Sequence, residues 1–135
     1  MHRLPDWKPR LTAYVVKAAS TPFQYGVHDC ALFAAGAVVA QCGLDHADHF
    51  RGQYRNLRAG LRLLKRSGYA DHVALASAIL PDRHPALMRP GDLAVIEDDG
   101  RLILGVVQGE CIYAVTPAGI GRLSIDRASR ILGVG

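Results

Sequence analysis

The sequence has 135 residues, of which 50% are hydrophobic and 21% are charged, with a formal net charge of +4 at pH 7. This length and composition argue against intrinsic disorder and suit a single domain, residues 1–135, with a buried core. The longest uninterrupted apolar run, from Ala31 to Ala40, is about half of what a bilayer-spanning helix needs, so we expect no membrane span.

The first residues carry charge, but no apolar block of the kind found in secretory signals follows them. We therefore expect synthesis in a bacterial-type cytoplasm. The protein would either stay there or leave as part of an assembly.

The three cysteines, Cys30, Cys42 and Cys111, are odd in number and irregularly spaced. This pattern fits neither a disulfide framework nor a structural zinc site, so at least one thiol is expected to be free. A free thiol is either reactive or simply buried. His46, Asp48 and His49 lie close together but lack a further ligand, so we predict no metal site and no cofactor.

The first half of the chain predicts helices. Apolar residues recur at helical spacing over 7–19, and an extended stretch is expected over 23–26. Asp29 then stands as an N-cap before a helix that is apolar on nearly all sides, which is typical of a central, buried helix ending at Gly43. Two more helices are predicted, over 57–66 with a stop at Gly68 and over 71–80.

After Pro90 the apolar residues change to the spacing of strands. Strands are predicted over 92–97, 101–108, 111–116, 121–125 and 130–134. Asp98, Asp99 and Gly100 have the composition of a hairpin turn. Helices followed by an antiparallel meander indicate an α+β fold with a helical layer packed on a curled sheet.

Much of the positive charge lies in the segment Arg51–Arg66. It comprises Arg51, Arg55, Arg58, Arg62, Lys65 and Arg66. This segment is either a solvated helix face or a surface for an anionic partner. It lacks interleaved exposed aromatic residues and a helix-turn-helix pattern, so no specific nucleic acid partner is predicted.

Cys30 follows the expected N-cap and so falls in the first turn of the central helix. Unpaired backbone N–H groups and the helix macrodipole favour negative charge there, and a thiol in that position is more readily ionised to the nucleophilic thiolate. Asp29 partly offsets this field with its own charge. From position alone, a buried structural cysteine is an equal alternative.

The sequence around Cys30 resembles the start of the catalytic helix in NlpC-type cell-wall cysteine peptidases. Residues 22–33 are similar to the aromatic and glycine stretch that leads into Asp-Cys-Ser-Gly-Leu in that family. Residues 89–93 resemble its Pro-Gly-Asp-Leu segment, and residues 104–109 its second strand. A closer likeness is to a small group of phage and prophage tail-gene proteins, through residues 26–33 and the step from Arg51 to Tyr54.

The resemblance implies a papain-like fold with Cys30 as the nucleophile. In the peptidases a Cys–His pair and a third polar group cut stem-peptide amides through a thioester. Here Ile103 occupies the place of the strand histidine, and no histidine or carboxylate occurs over 113–115. His28 is the remaining candidate base near Cys30, with Asp29 as helix cap, whereas the other histidines, His72 among them, are expected at the surface.

Two functions follow as expectations from the resemblance. One is a phage or phage-like tail-tip or tail-assembly module that has lost hydrolysis, binds tail hub proteins, and passes from the bacterial cytoplasm into the particle. The other is an active peptidoglycan amidase or endopeptidase that uses Cys30. A thiol-dependent acyltransferase would use the same pocket.

Overall fold

The computed structural model describes residues 1–135. Its helices are α1 (Trp7–Ala19), α2 (Cys30–Cys42), α3 (Leu57–Arg66) and α4 (His72–Ile79), and all four predicted helices are confirmed. The central helix, α2, packs against α1 and against the sheet. None of the helices is both long enough and apolar enough to cross a membrane.

Six strands form one antiparallel sheet. They are β1 (Asp82–Arg83), β2 (Leu93–Asp98), β3 (Arg101–Gln108), β4 (Cys111–Thr116), β5 (Gly119–Ser124) and β6 (Ala128–Leu132). Their spatial order is β1-β6-β2-β3-β4-β5. The α+β class is therefore confirmed, but a simple meander is wrong for the last strand, since β6 returns to cover the free edge of β2 and pairs with the unpredicted β1.

The hairpin between β2 and β3 has the turn that its sequence predicts. Asp99 and Gly100 both have positive φ, 51° and 77°, as a two-residue type I′ turn requires. Asp98 pairs with Arg101 across this turn. The turn sets the register of β3 against β2, and with it the position of every β3 residue facing α2.

The sheet carries apolar side chains on both faces. Leu93, Val95, Leu104 and Val106 join the main core, which includes Phe33 of α2. The alternate residues of β2 and β3 form a second cluster on the other face. Burial on both faces makes the first four residues of β2 a continuous buried run.

Helix α1 approaches α2 closely at Gly36. A Cβ atom at this position would lie 2.1 Å from the Tyr14 hydroxyl oxygen. That hydroxyl donates a hydrogen bond of 2.8 Å to the Phe33 carbonyl of α2. The small residue thus lets a tyrosine satisfy its polar end while its ring stacks on Phe33.

The segment before α2 is a closed loop, in which a turn over residues 25–27 replaces the second half of the extended stretch expected over 23–26. The backbone groups of Gln24 and His28 hydrogen bond to one another, at 3.0 and 2.8 Å. Gly26 lies at the tip with φ +81°. The chain has to reverse here to bring Asp29 onto the end of α2, and glycine supplies the left-handed conformation that the reversal needs.

Candidate active site at the start of the central helix

Asp29 organises the N-terminus of α2. Asp29 is only 4% exposed, and its carboxylate accepts hydrogen bonds from the backbone N–H groups of Leu32 (2.9 Å) and Gly26 (3.0 Å). The hydroxyl of Tyr54 donates a third, at 2.5 Å. The predicted cap is confirmed, and the carboxylate also ties the preceding loop and a distant tyrosine to the helix end.

The loop before α2 and the segment from Arg51 to Tyr54 meet in space. The Gly52 N–H donates to the Gly26 carbonyl at 2.8 Å, next to the bond between Tyr54 and Asp29. A Cβ atom at Gly26 would lie 2.1 Å from the Tyr54 carbonyl oxygen, so only glycine fits. The residues around Gly26 and Tyr54 therefore form one clamp that fixes the start of α2.

The Cys30 sulfur meets the backbone of β3. Its thiol donates to the Leu104 carbonyl at 3.2 Å and accepts from the Leu104 N–H at 3.4 Å. The ladder between β3 and β4 ends at Val106 and Tyr113, so the Leu104 groups have no partner on β4. The Cys30 sulfur lies where a neighbouring strand would hydrogen bond, and it satisfies both the N–H and the carbonyl of Leu104.

An imidazole lies beside the same sulfur. Nε2 of His72, the first residue of α4, is 3.8 Å from the Cys30 sulfur. The expectation that His72 is a surface residue is wrong, because α4 packs against β3 and turns this side chain inward. Sequence reasoning missed it because it looked for a histidine on a strand, as in the peptidases that residues 22–33 resemble. The only available signal was the position of His72 after Asp71, the cap of α4.

Both members of this pair are held in their neutral forms. Burial raises the pKa of the Cys30 thiol to about 12 and outweighs the opposing hydrogen bond from the Leu104 N–H. Burial lowers the pKa of His72, although Asp71 and Asp29 act in the opposite direction. No third side chain hydrogen bonds to His72, and the shortest sulfur contact directs the thiol proton to the Leu104 carbonyl.

His28 lies apart from the pair. Its ring packs edge-on to Phe33, with centroids 6.1 Å apart, and it lines a groove with Tyr14 and Lys17 of α1. Burial lowers its pKa. No hydrogen bond joins His28 to Cys30, and the imidazole beside the thiol is that of His72.

Ile103 also points away from the thiol. Its side chain packs with the cluster on the sheet face opposite α2. Side chains alternate along a strand, so the neighbouring Leu104 faces α2 and reaches the main core. The β3 side chain on the face towards α2 is therefore that of Leu104, and Ile103 lies on the opposite face.

A mostly apolar cavity of about 80 Å³ adjoins the Cys–His pair. Side chains from α2, α3 and α4 and from the intervening loop form its walls. Polar groups reach it from Tyr25, His46, His72 and Arg101. Nδ1 of His46 is buried without a hydrogen-bond partner.

The Pro-Gly-Asp-Leu segment serves the fold at a distance from this cavity. Asp92 is fully buried and accepts from the N–H groups of Arg89 (2.9 Å) and Val134 (3.0 Å). Arg83 lies 3.0 Å from the same carboxylate. Asp92, the acidic residue of this segment, therefore joins the start of β2 to β1 and to the segment after β6.

No curated protein matches this chain in sequence. Residues 2–134 match a family described as "Domain of unknown function (DUF6950)". The match spans almost the whole sequence, and the chain therefore belongs to the DUF6950 family.

Proposed function

We propose that the protein is a papain-like module of a phage or phage-like tail that acts in assembly or binding without hydrolysing a substrate. The arrangement that supports a papain-like fold is a cysteine at the start of a central helix that packs on an antiparallel sheet. The likeness of residues 26–33 and 51–54 to tail-gene proteins supports the tail assignment. That step is an argument by similarity.

The observation that carries the proposal is the bonding of the Cys30 sulfur to both backbone groups of Leu104. A cysteine nucleophile acts as the thiolate. Burial raises the pKa of Cys30 to about 12, so the thiol is protonated at pH 7. Cys30 therefore joins α2 to β3 as a structural contact, and no oriented imidazolium is present to stabilise its anion.

Cell-wall clearing tests the absence of hydrolysis. We expect wild type, Cys30→Ala and the matched control Cys111→Ala all to leave the turbidity of purified peptidoglycan unchanged. Clearing by wild type and Cys111→Ala, with loss in Cys30→Ala, would overturn the proposal.

Particle composition tests the tail assignment. We expect the chain to be made in the bacterial cytoplasm, to co-purify with a tail hub or tail-tip protein, and to remain in the finished particle. Particles of normal composition and infectivity that form without the chain would count against this role.

A second candidate is a cysteine amidase or endopeptidase acting on peptidoglycan peptides. The specific observation in its favour is the 3.8 Å contact between Nε2 of His72 and the Cys30 sulfur. In this mechanism His72 would take the thiol proton as the sulfur attacks the amide carbonyl, and would return it to the leaving amine. Clearing that His72→Gln and Cys30→Ala both abolish would establish this alternative.

A further inference from the structure

The outer face of α3 carries positive charge that nothing in the chain neutralises. Its exposed cations are Arg58, Arg62, Lys65 and Arg66, and the exposed Arg55 lies just before the helix. None of them is in any of the ion pairs of the structure. No acidic residue occurs between Asp48 and Asp71.

The spacing of these cations suits a row of carboxylates. Arg58, Arg62 and Arg66 recur every four residues, which places successive guanidinium groups about 6 Å apart along the helix. Like charges at this spacing weaken a helix by themselves. Guanidinium groups bind carboxylates through two parallel hydrogen bonds, so an acidic partner would turn this repulsion into attraction.

The same helix forms part of the wall of the cavity beside Cys30. Leu57 and Leu61 are half-buried, and they line both the cavity and a groove along the basic face. We name this groove, formed by Leu57, Arg58, Leu61, Arg62, Lys65 and Arg66, the α3 groove. These two leucines therefore lie between the groove and the apolar cavity.

The size of the cavity restricts what can enter. Its volume of about 80 Å³ is roughly half that of an engineered apolar cavity that holds benzene. An aliphatic side chain of valine or leucine size fits this space, whereas a nucleobase or a long acyl chain exceeds it.

We propose that the α3 groove and the cavity together bind an acidic polypeptide segment that inserts one branched aliphatic side chain. Carboxylates of the segment lie along Arg58, Arg62 and Arg66, and the aliphatic side chain passes Leu57 and Leu61. This inference rests on the proposed role as a binding module and names the chemistry of its partner.

Binding of synthetic peptides to the whole chain tests this inference. The probe is a fluorescent peptide of glutamate and serine with one central leucine. We expect binding that weakens about tenfold when serine replaces the leucine, because the apolar contact is lost. A tryptophan at that position, too large for the cavity, should weaken binding to a similar extent.

Charge variants test the groove. The double variant Arg58→Gln with Arg62→Gln should weaken binding about fivefold at low salt, and added salt should narrow that difference. Arg122→Gln is the control, since Arg122 is exposed on β5 and makes no ion pair. Equal affinity for the leucine and serine peptides, or equal losses in the groove and control variants, would overturn the inference.

Binding of other anionic macromolecules is the measurement that can contradict an acidic polypeptide as the partner. Tighter binding of duplex DNA or of phosphatidylglycerol vesicles than of the leucine peptide would refute an acidic polypeptide as the partner. Failure of peptide binding in a chain that clears no cell walls refutes this inference and leaves the proposed function intact. If the protein clears cell walls through Cys30 and also binds the peptide specifically, the proposed lack of hydrolysis is refuted and the peptide inference stands.

Discussion

Removing one hydroxyl group, in Tyr54→Phe, should weaken the clamp at the start of α2 measurably. The hydroxyl donates to the buried carboxylate of Asp29, and a hydrogen bond to a charged group contributes about 1.5–3 kcal/mol. Asp29 is only 4% exposed, so water does not readily replace the lost donor. We therefore expect the free energy of unfolding to fall by about 2 kcal/mol, which corresponds to a decrease in Tm of about 6 °C for a domain of this size.

Urea unfolding followed by circular dichroism measures this change, with an unaltered slope showing that the compactness of the states is unchanged. Tyr69→Phe is the matched control. Tyr69 packs against the same small cluster as Tyr54, but its hydroxyl makes no hydrogen bond, so its loss should change stability by less than about 0.5 kcal/mol. If Tyr54→Phe costs no more than Tyr69→Phe, the clamp does not stabilise the fold as argued.

Three further predictions concern the same region. Burial raises the pKa of Cys30 to about 12, so iodoacetamide should alkylate Cys30 at least about tenfold more slowly than an unperturbed thiol. Peptide mapping measures this rate. Modification of Cys30 before the other two cysteines would contradict the prediction. Gly26→Ala should lower the free energy of unfolding in urea by at least about 3 kcal/mol, because it combines a positive φ with a backbone clash. The control Gly43→Ala, with a positive φ in open space, should lower it by about 1 kcal/mol. Equal losses would show that the clash is absent. Burial lowers the pKa of His72, so the stability that the neutral imidazole contributes is complete above about pH 6.5 and is lost as the pH falls through this lowered pKa. The Tm of His72→Gln should therefore fall less between about pH 6.5 and 5 than the Tm of wild type. Parallel curves of Tm against pH would refute a lowered pKa for His72.

Local patterns predicted most of the secondary structure. The helix over 7–19, the cap at Asp29 and the turn at Asp99 and Gly100 each depend on nearby residues. The position of β6 depends instead on the free edge of β2, more than thirty residues earlier in the chain. No local pattern carries that information.

The candidate site was predictable only where its contacts are local. Cys30 and Asp29 are neighbours, and their places at the helix end follow from capping. The imidazole comes from His72, 42 residues away, and reaches the sulfur only because α4 packs on β3. His28 is nearer in sequence, but the reversal at Gly26 directs its ring towards α1 instead.

The sulfur that replaces a strand partner at Leu104 makes one amide a reporter for the whole site. The Leu104 N–H has Cys30 as its acceptor, and sulfur accepts weakly. Any movement that separates α2 from β3 frees this proton for exchange with solvent, while the neighbouring ladder amides stay protected. The exchange rate at this one position therefore measures how often the central helix and the sheet come apart, with or without a bound partner.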